Sequence, residues 1–168
     1  RVLAPKYGSY ITYVSLKKGK ESASGQISIA EIENNYNISK INLNTKILGV
    51  IGTHAENSKS KYMHNANFKT KNLNYIYVPF KVRKSELNKF MTNFRDFNFS
   101  GAAVTVPHKE TIINFIDKLD ETAKIIGATN TLVNNNNCIV GSNTDYFGAI
   151  TALKKVTSLN KKKILVIG

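Results

Sequence analysis

Gly101-Ala102-Ala103-Val104-Thr105-Val106-Pro107-His108-Lys109-Glu110 decides how the rest of the chain is read, because it runs an apolar strand straight into a proline and a lysine. Pro107 has no N–H and presets the first turn of a helix, so Thr105 and Lys109 are expected to face one cleft at the strand's end. Two later stretches are placed to complete that cleft: Gly127-Ala128-Thr129-Asn130-Thr131 and Gly141-Ser142-Asn143-Thr144-Asp145. Each brings an amide, a hydroxyl or a carboxylate to the end of a short hydrophobic element, which is where open α/β sheets bind ligands. A lysine, an aspartate and several neutral donors together suit a polyhydroxylated carboxylic acid, with acid/base work at one oxygen.

Outward from that stretch the pattern is βα alternation. Ile47 to Ile51 reads as a buried strand, a polar loop leads to a helix over 61–71, and Tyr75 to Phe80 is the next strand. Leu87, Phe90, Met91 and Phe94 keep the spacing of an amphipathic helix and belong to the core rather than to a cofactor box. After the strand at Ala102 to Val106 come a helix over 108–118, a helix over 121–126 and a strand over 128–133. An asparagine turn, a strand from Cys138 to Gly141 and a helix over 144–155 finish the unit. The fold class is therefore α/β, a mainly parallel sheet with helices on both faces.

Upstream, Tyr10 to Ser15 reads as a strand, 17–25 as a polar turn, and Ser28 with Glu31 as the capping box of a short helix. Residues 37–46 have turn-forming composition and read as a linker. Downstream, Lys163 to Gly168 reads as one more buried strand, with Gly168 the candidate opening of a cofactor phosphate loop.

With 168 residues the chain can bury one real core, and the expected division is 1–36, 37–46, 47–156 and 157–168, one full domain with a remnant at each end. Its first residues run directly into structured-looking sequence and read as the interior of a longer chain. No apolar run has the length to cross a bilayer, so no membrane association is expected. A formal charge of +13 raises the question of nucleic acid, but the lysines are scattered along the chain. Their densest cluster, Lys154-Lys155 with Lys161-Lys162-Lys163, reads as solvated linker, so no nucleic-acid partner is expected. A modest positive field still favours an anionic small molecule. Cys138 is the single cysteine, so no internal disulfide forms. His54, His64 and His108 form no ligand set with carboxylates, and no metal is expected.

Several motifs in order carry a family resemblance: Gly52 through Ser58-Lys59-Ser60 to His64-Asn65, Val104 to Lys109, Gly127 to Thr131, and Gly141 to Asp145. From about Lys46 onward the chain resembles the shikimate dehydrogenase family, over its substrate-binding domain and the edge of its cofactor domain. Residues 1–36 resemble the C-terminal end of type I 3-dehydroquinate dehydratase, a β/α barrel, through Arg1, Tyr7-Gly8-Ser9 and Ser22-Ala23-Ser24-Gly25-Gln26. The two together resemble the bifunctional dehydratase/dehydrogenase of plants and some bacteria. A larger fungal multifunctional protein has the same two modules adjacent, and the Pro-His-Lys-Glu wording favours the plant-like type.

The resemblance implies NADPH-dependent reduction of 3-dehydroshikimate to shikimate, in a cytoplasmic or plastid enzyme. It implies that Lys109 is the acid/base group and Asp145 its partner, that Ser58 and Ser60 hold the substrate carboxylate, that Thr105 and Asn130 meet the ring hydroxyls, and that Thr144 also contacts the ligand. It assigns Arg1, Ser22 and Gln26 to a dehydroquinate site whose barrel lysine and histidine are not in this chain, and gives Gly168 a cofactor contact. NADP would be bound mainly by sequence beyond Gly168, so the 168 residues alone are expected to be inactive. Ser60 and Thr144 favour shikimate over quinate. The family usually has proline near His54 and at Lys61, glycine at Glu56 and histidine at Asn57, so the loop over 53–61 has altered backbone preferences. Quinate dehydrogenase, a catalytically silent small-acid-binding module and a basic nucleic-acid binder are the rival readings, in that order.

Overall fold

A computed structural model describes residues 1–165 of the chain. Its centre is a six-stranded sheet made of β1 (Lys46–Gly52), β2 (Tyr75–Lys81), β3 (Gly101–Val104), β4 (Lys118–Leu119), β5 (Thr131–Asn135) and β6 (Cys138–Ser142), in the order β2-β1-β3-β5-β6-β4. β1 runs parallel to β2, with Lys46 beside Tyr75 and Gly52 beside Lys81, and parallel to β3, with Leu48 beside Gly101 and Ile51 beside Val104. β5 is antiparallel to β3 and to β6, while β4 and β6 are parallel. The antiparallel β5–β6 pair follows from its turn, where Asn136 and Asn137 both take positive φ, the conformation that lets a two-residue hairpin match strand twist.

The helices are α1 (Ile29–Asn34), α2 (Ser60–Thr70), α3 (Leu87–Asp96), α4 (Glu121–Ile126) and α5 (Asp145–Val156). β1 is apolar on both faces because both are covered. Ile47 and Ile51 join Ile76, Leu87, Met91, Phe94, Phe99, Ile112, Leu132 and Ile139 in the main core under α3. Val50 joins Ala55 and Tyr77 in a smaller cluster, against which Phe68 of α2 packs. Phe94, Phe80 and Phe90 pack around Phe99 with ring centroids 5.1–6.2 Å apart. β2 is an edge strand, and the buried Asn65 amide of α2 satisfies its free side: Nδ2 donates to Tyr77 O at 3.0 Å and Oδ1 accepts from Tyr77 N at 2.8 Å.

Three expected elements differ. Tyr10 to Ser15 is not a strand; it makes one bridge, Ser15 to Ser28, and Tyr10, Ile11 and Tyr13 are exposed. Among the described residues its backbone pairs only with Ile27 and Ile29, through Ser15, too little to build a ladder. The helix expected over 108–118 is a 3-10 turn over Thr111–Phe115 followed by β4. Here β-branched Thr111, Ile112 and Ile113 weaken helix propensity, and β6 captures the next residues, with Asp117 N donating to Ile139 O and Asp120 N to Gly141 O. The strand expected over 163–168 is not formed where the chain is described: Lys163, Ile164 and Leu165 are exposed coil that pairs with none of the described strands, and Val166, Ile167 and Gly168 lie outside the described residues. Two boundaries also shift, β3 ending at Val104 and β5 starting at Thr131, where the chain leaves the ladder for the cleft.

α1 starts as its sequence dictates, with Ser28 Oγ accepting from Glu31 N at 3.2 Å, but the Glu31 carboxylate bonds Lys61 instead of returning to the cap. Residues 37–45 are turns fixed to the sheet by Thr45, whose hydroxyl accepts from Asn42 N at 2.9 Å and donates to Asn74 Oδ1 at 2.7 Å.

Candidate active site

β1 and β3 are parallel, so their C-terminal ends open on the same edge of the sheet, and antiparallel β5 begins there. At that edge is a cleft of about 640 Å³ lined by Ser58, Ser60, Thr105, Lys109, Asn130 and Asp145, together with Thr53, His54 and Pro107. That volume accommodates a single small acid. Close approach of β1 to the β3 end builds its floor, since a Cβ on Gly52 would collide with the Thr105 side chain.

The turn that delivers Lys109 is pinned along its length. Thr105 N donates to Ile51 O at 2.9 Å, His108 N to Thr105 O at 3.0 Å, and Thr129 N to Lys109 O at 2.8 Å. The Val106–Pro107 peptide is cis. His108 is fully buried with Nε2 2.7 Å from Val82 O, so it anchors the turn in the core and faces away from the cleft. With its backbone held, Lys109 extends Nζ to 2.6 Å from Asp145 Oδ2.

Asp145 opens α5, where a carboxylate suits the helix dipole. Its other oxygen, Oδ1, accepts from Asn130 Nδ2 at 2.6 Å. The Asn130 amide has one orientation that satisfies all its neighbours: Nδ2 also donates to Thr144 Oγ1 at 2.9 Å, and Oδ1 accepts from Thr144 N at 3.0 Å and from Thr131 Oγ1 at 2.9 Å. The Lys109 hydrogen bond holds the Asp145 carboxyl below the usual carboxylate range, with the Asn130 amide adding to it against partial burial. Asp145 therefore stays ionised and keeps Lys109 company as its counterion.

Ser58 and Ser60 stand at the opposite wall, at the start of α2. Ser58 Oγ accepts from Ser60 N at 3.2 Å, a local turn just ahead of α2 that leaves the Ser58 O–H free to donate to a ligand oxygen. Thr144 is linked to the cleft through Asn130 and is not among its lining residues. Ser22 and Gln26 meet each other, with Gln26 Oε1 accepting from Ser22 N at 2.8 Å, whereas no described hydrogen bond or ion pair joins the Arg1 side chain to either. Among the described residues no group of His, Cys, Asp or Glu side chains is placed to hold a metal. None of the described helices is long and apolar enough to cross a membrane.

Two supporting residues escape a reading of the sequence for ligand donors. Asn143, buried, accepts from Asp145 N at 3.1 Å and donates to Ala128 O at 3.0 Å, and so aims the start of α5. An asparagine just before a helix is the signal that could have found it. Thr129, fully buried, donates to Ser142 O at 2.6 Å and so ties the Lys109 turn to the β6 end. Its signal is absent from one-dimensional sequence, because the bond joins residues brought together by the sheet.

Comparison with known proteins finds two family matches along the chain. Residues 50–132 match the family described as shikimate dehydrogenase substrate binding domain, and residues 1–43 match type I 3-dehydroquinase. A shikimate dehydrogenase (NADP(+)) of Methanosphaera stadtmanae is 46% identical over 124 residues, 74% of this chain and 44% of that protein. The chloroplastic bifunctional 3-dehydroquinate dehydratase/shikimate dehydrogenase of Arabidopsis thaliana is 36% identical over 156 residues, 92% of this chain and 26% of that protein. A crystal structure of the Listeria monocytogenes shikimate 5-dehydrogenase with shikimate and NAD superposes with a TM-score of 0.64 at 37% identity, covering 68% of this chain and 40% of that one. The chain thus spans less than half the length of each of these relatives.

Proposed function

We propose, on the premise that residues 50–132 are a shikimate dehydrogenase substrate binding domain and residues 1–43 a type I 3-dehydroquinase segment, that the whole protein reduces 3-dehydroshikimate to shikimate and is fused to a dehydroquinate dehydratase. The observation that carries this reading is the Lys109–Asp145 pair, 2.6 Å long and facing a cleft of small-acid size.

In this reading NADPH supplies the hydride that converts the ketone carbon to a carbinol. Lys109 supplies the proton: its ammonium hydrogen-bonds the ketone oxygen, gives up one proton as negative charge develops there, and recovers it in the oxidation direction. Asp145, ionised through the contacts already described, orients the ammonium and accepts a hydrogen bond from a ring hydroxyl. Asn130 fixes Asp145 and Thr144 in one network, and Thr105 reaches the ring from the β3 side. Ser58 and Ser60 donate to the substrate carboxylate beside the N-terminus of α2, where an anion is favoured. Retaining Ser60 and Thr144 favours shikimate over quinate.

The described residues fit the acid and not the cofactor. None of them forms a glycine-rich turn at a helix N-terminus that could seat a dinucleotide pyrophosphate, and Gly168, the candidate for that role, lies outside them. NADP is bound elsewhere in the whole protein in this proposal. Ser22 and Gln26, with Arg1, belong to the dehydratase site. The excess of positive charge serves to attract small anions rather than nucleic acid, and the compartment is cytoplasm or plastid.

The test is steady-state kinetics of the whole protein with NADPH and 3-dehydroshikimate, and in reverse with shikimate or quinate. Turnover with a higher kcat/KM for shikimate than for quinate is expected. Faster oxidation of quinate makes it a quinate dehydrogenase, and no turnover with either leaves a silent small-acid-binding module.

A further inference from the structure

Among the described ion pairs Lys61 to Glu31 stands apart. The two groups are 2.8 Å apart with side chains only 13% and 28% exposed. In every other pair both side chains are at least 32% exposed. The pair also crosses a boundary, since Glu31 lies in α1 within the segment matching type I 3-dehydroquinase and Lys61 in α2 within the segment matching the dehydrogenase domain. Lys61 directly follows Ser60, which lines the cleft, and is the second residue of α2.

A cation in the first turn of a helix is opposed by the backbone dipole, so Lys61 needs a carboxylate to remain folded against the protein. Glu31 supplies it from a well-anchored base. Ser28 caps α1, and Ile32 and Tyr36 hold it in the protein interior at 3% and 6% exposure. Burial pushes the Tyr36 phenol up to about 12, and the charges of both Lys61 and Glu31 act on it, which places the pair beside a dry aromatic group. A largely buried ammonium that lost this carboxylate would move toward water, taking the first turn of α2 with it.

We propose that Lys61 and Glu31 are positioning residues for the anion-binding wall of the cleft: α1 fixes the first turn of α2, and through it Ser58 and Ser60, by this ion pair. The wall is then assembled only when the dehydratase-like segment is docked on the dehydrogenase domain. The proposal rests on the reading of the cleft as a site for a carboxylic acid.

The experiment compares Glu31→Gln, Lys61→Met and Lys61→Arg in the whole protein, recording kcat and KM for 3-dehydroshikimate, shikimate affinity by calorimetry, and thermal midpoint. Glu31→Gln and Lys61→Met are expected to raise KM and the shikimate Kd about three- to tenfold with kcat changed by less than about twofold, while Lys61→Arg keeps wild-type values. A lowered thermal midpoint with unchanged KM and Kd overturns the proposal, because the pair is then structural only. Tighter substrate binding in Glu31→Gln overturns it too, because release of the lysine charge then matters more than position. Should the wild type bind shikimate without turning over, the catalytic reading fails and the Kd series alone decides the inference. A wild type that neither binds nor reacts removes both.

Discussion

Tyr10-Ile11-Thr12-Tyr13-Val14 and Gly101-Ala102-Ala103-Val104 are both short runs that could be strands, and on side-chain preference the first is the stronger candidate. Only the second is a strand. Ala102 and Val104 are 6% and 2% exposed between β1 and β5, whereas Tyr10 is fully exposed and Tyr13 is 72% exposed. A ladder is a property of at least two chains of atoms, and a run with favourable residues but one bridging partner gains too little burial and hydrogen bonding to offset its lost entropy. The small residues of β3 succeed because their neighbours on both sides are already apolar.

That contrast can be broken at the core first. Phe94 is fully buried under the β3 side of the sheet, so Phe94→Ala should cost about 3–5 kcal/mol in urea unfolding. A loss no larger than that of a surface change would mean that the sheet region is not held by this core.

A smaller effect is expected where β6 and α3 are stapled. Arg95 bonds both oxygens of Asp117, at 2.9 and 3.2 Å, and also the carbonyls of Asn137 and Phe115. Asp117→Asn should lower stability by about 1 kcal/mol, a modest figure because both partners are partly exposed. The Arg95 hydrogen bond, then that from Ile139 N, holds the Asp117 carboxyl below its ordinary range. A carboxylate with a depressed folded-state pKa stabilises the fold above the ordinary carboxylate range, and that contribution disappears as pH falls through the depressed value. The stability gap between wild type and Asp117→Asn should therefore be full at neutral pH and close below about pH 4, as read from unfolding curves across pH. The smallest effect belongs to the unpaired run: Tyr13→Ser should change stability by less than about 0.5 kcal/mol. A larger loss would show that this run has a partner beyond the described residues.

Much of the sheet is legible in sequence because its strands and helices carry strong periodicity: Ile47 to Ile51, Tyr75 to Phe80 and the Leu87–Phe94 stripe coincide with β1, β2 and α3. The stretch after Lys109 is not, since its conformation is decided by β6 (Cys138–Ser142), which lies well downstream in the chain. In the cleft, Lys109 and Asp145 could be paired from motifs at strand ends, while the work of Asn143 and Thr129 depends on bonds between backbones that only the folded sheet brings close. The direction in which the Asn130 amide points is likewise set by Thr144 and Asp145 together.

The central claim is that Lys109 moves the proton in the cleft. It is tested most directly by measuring kcat and shikimate affinity for Lys109→Ala in the whole protein. A fall in kcat of roughly 10²- to 10⁴-fold, with shikimate still bound, is the expected result. Turnover within a few-fold of wild type would contradict it.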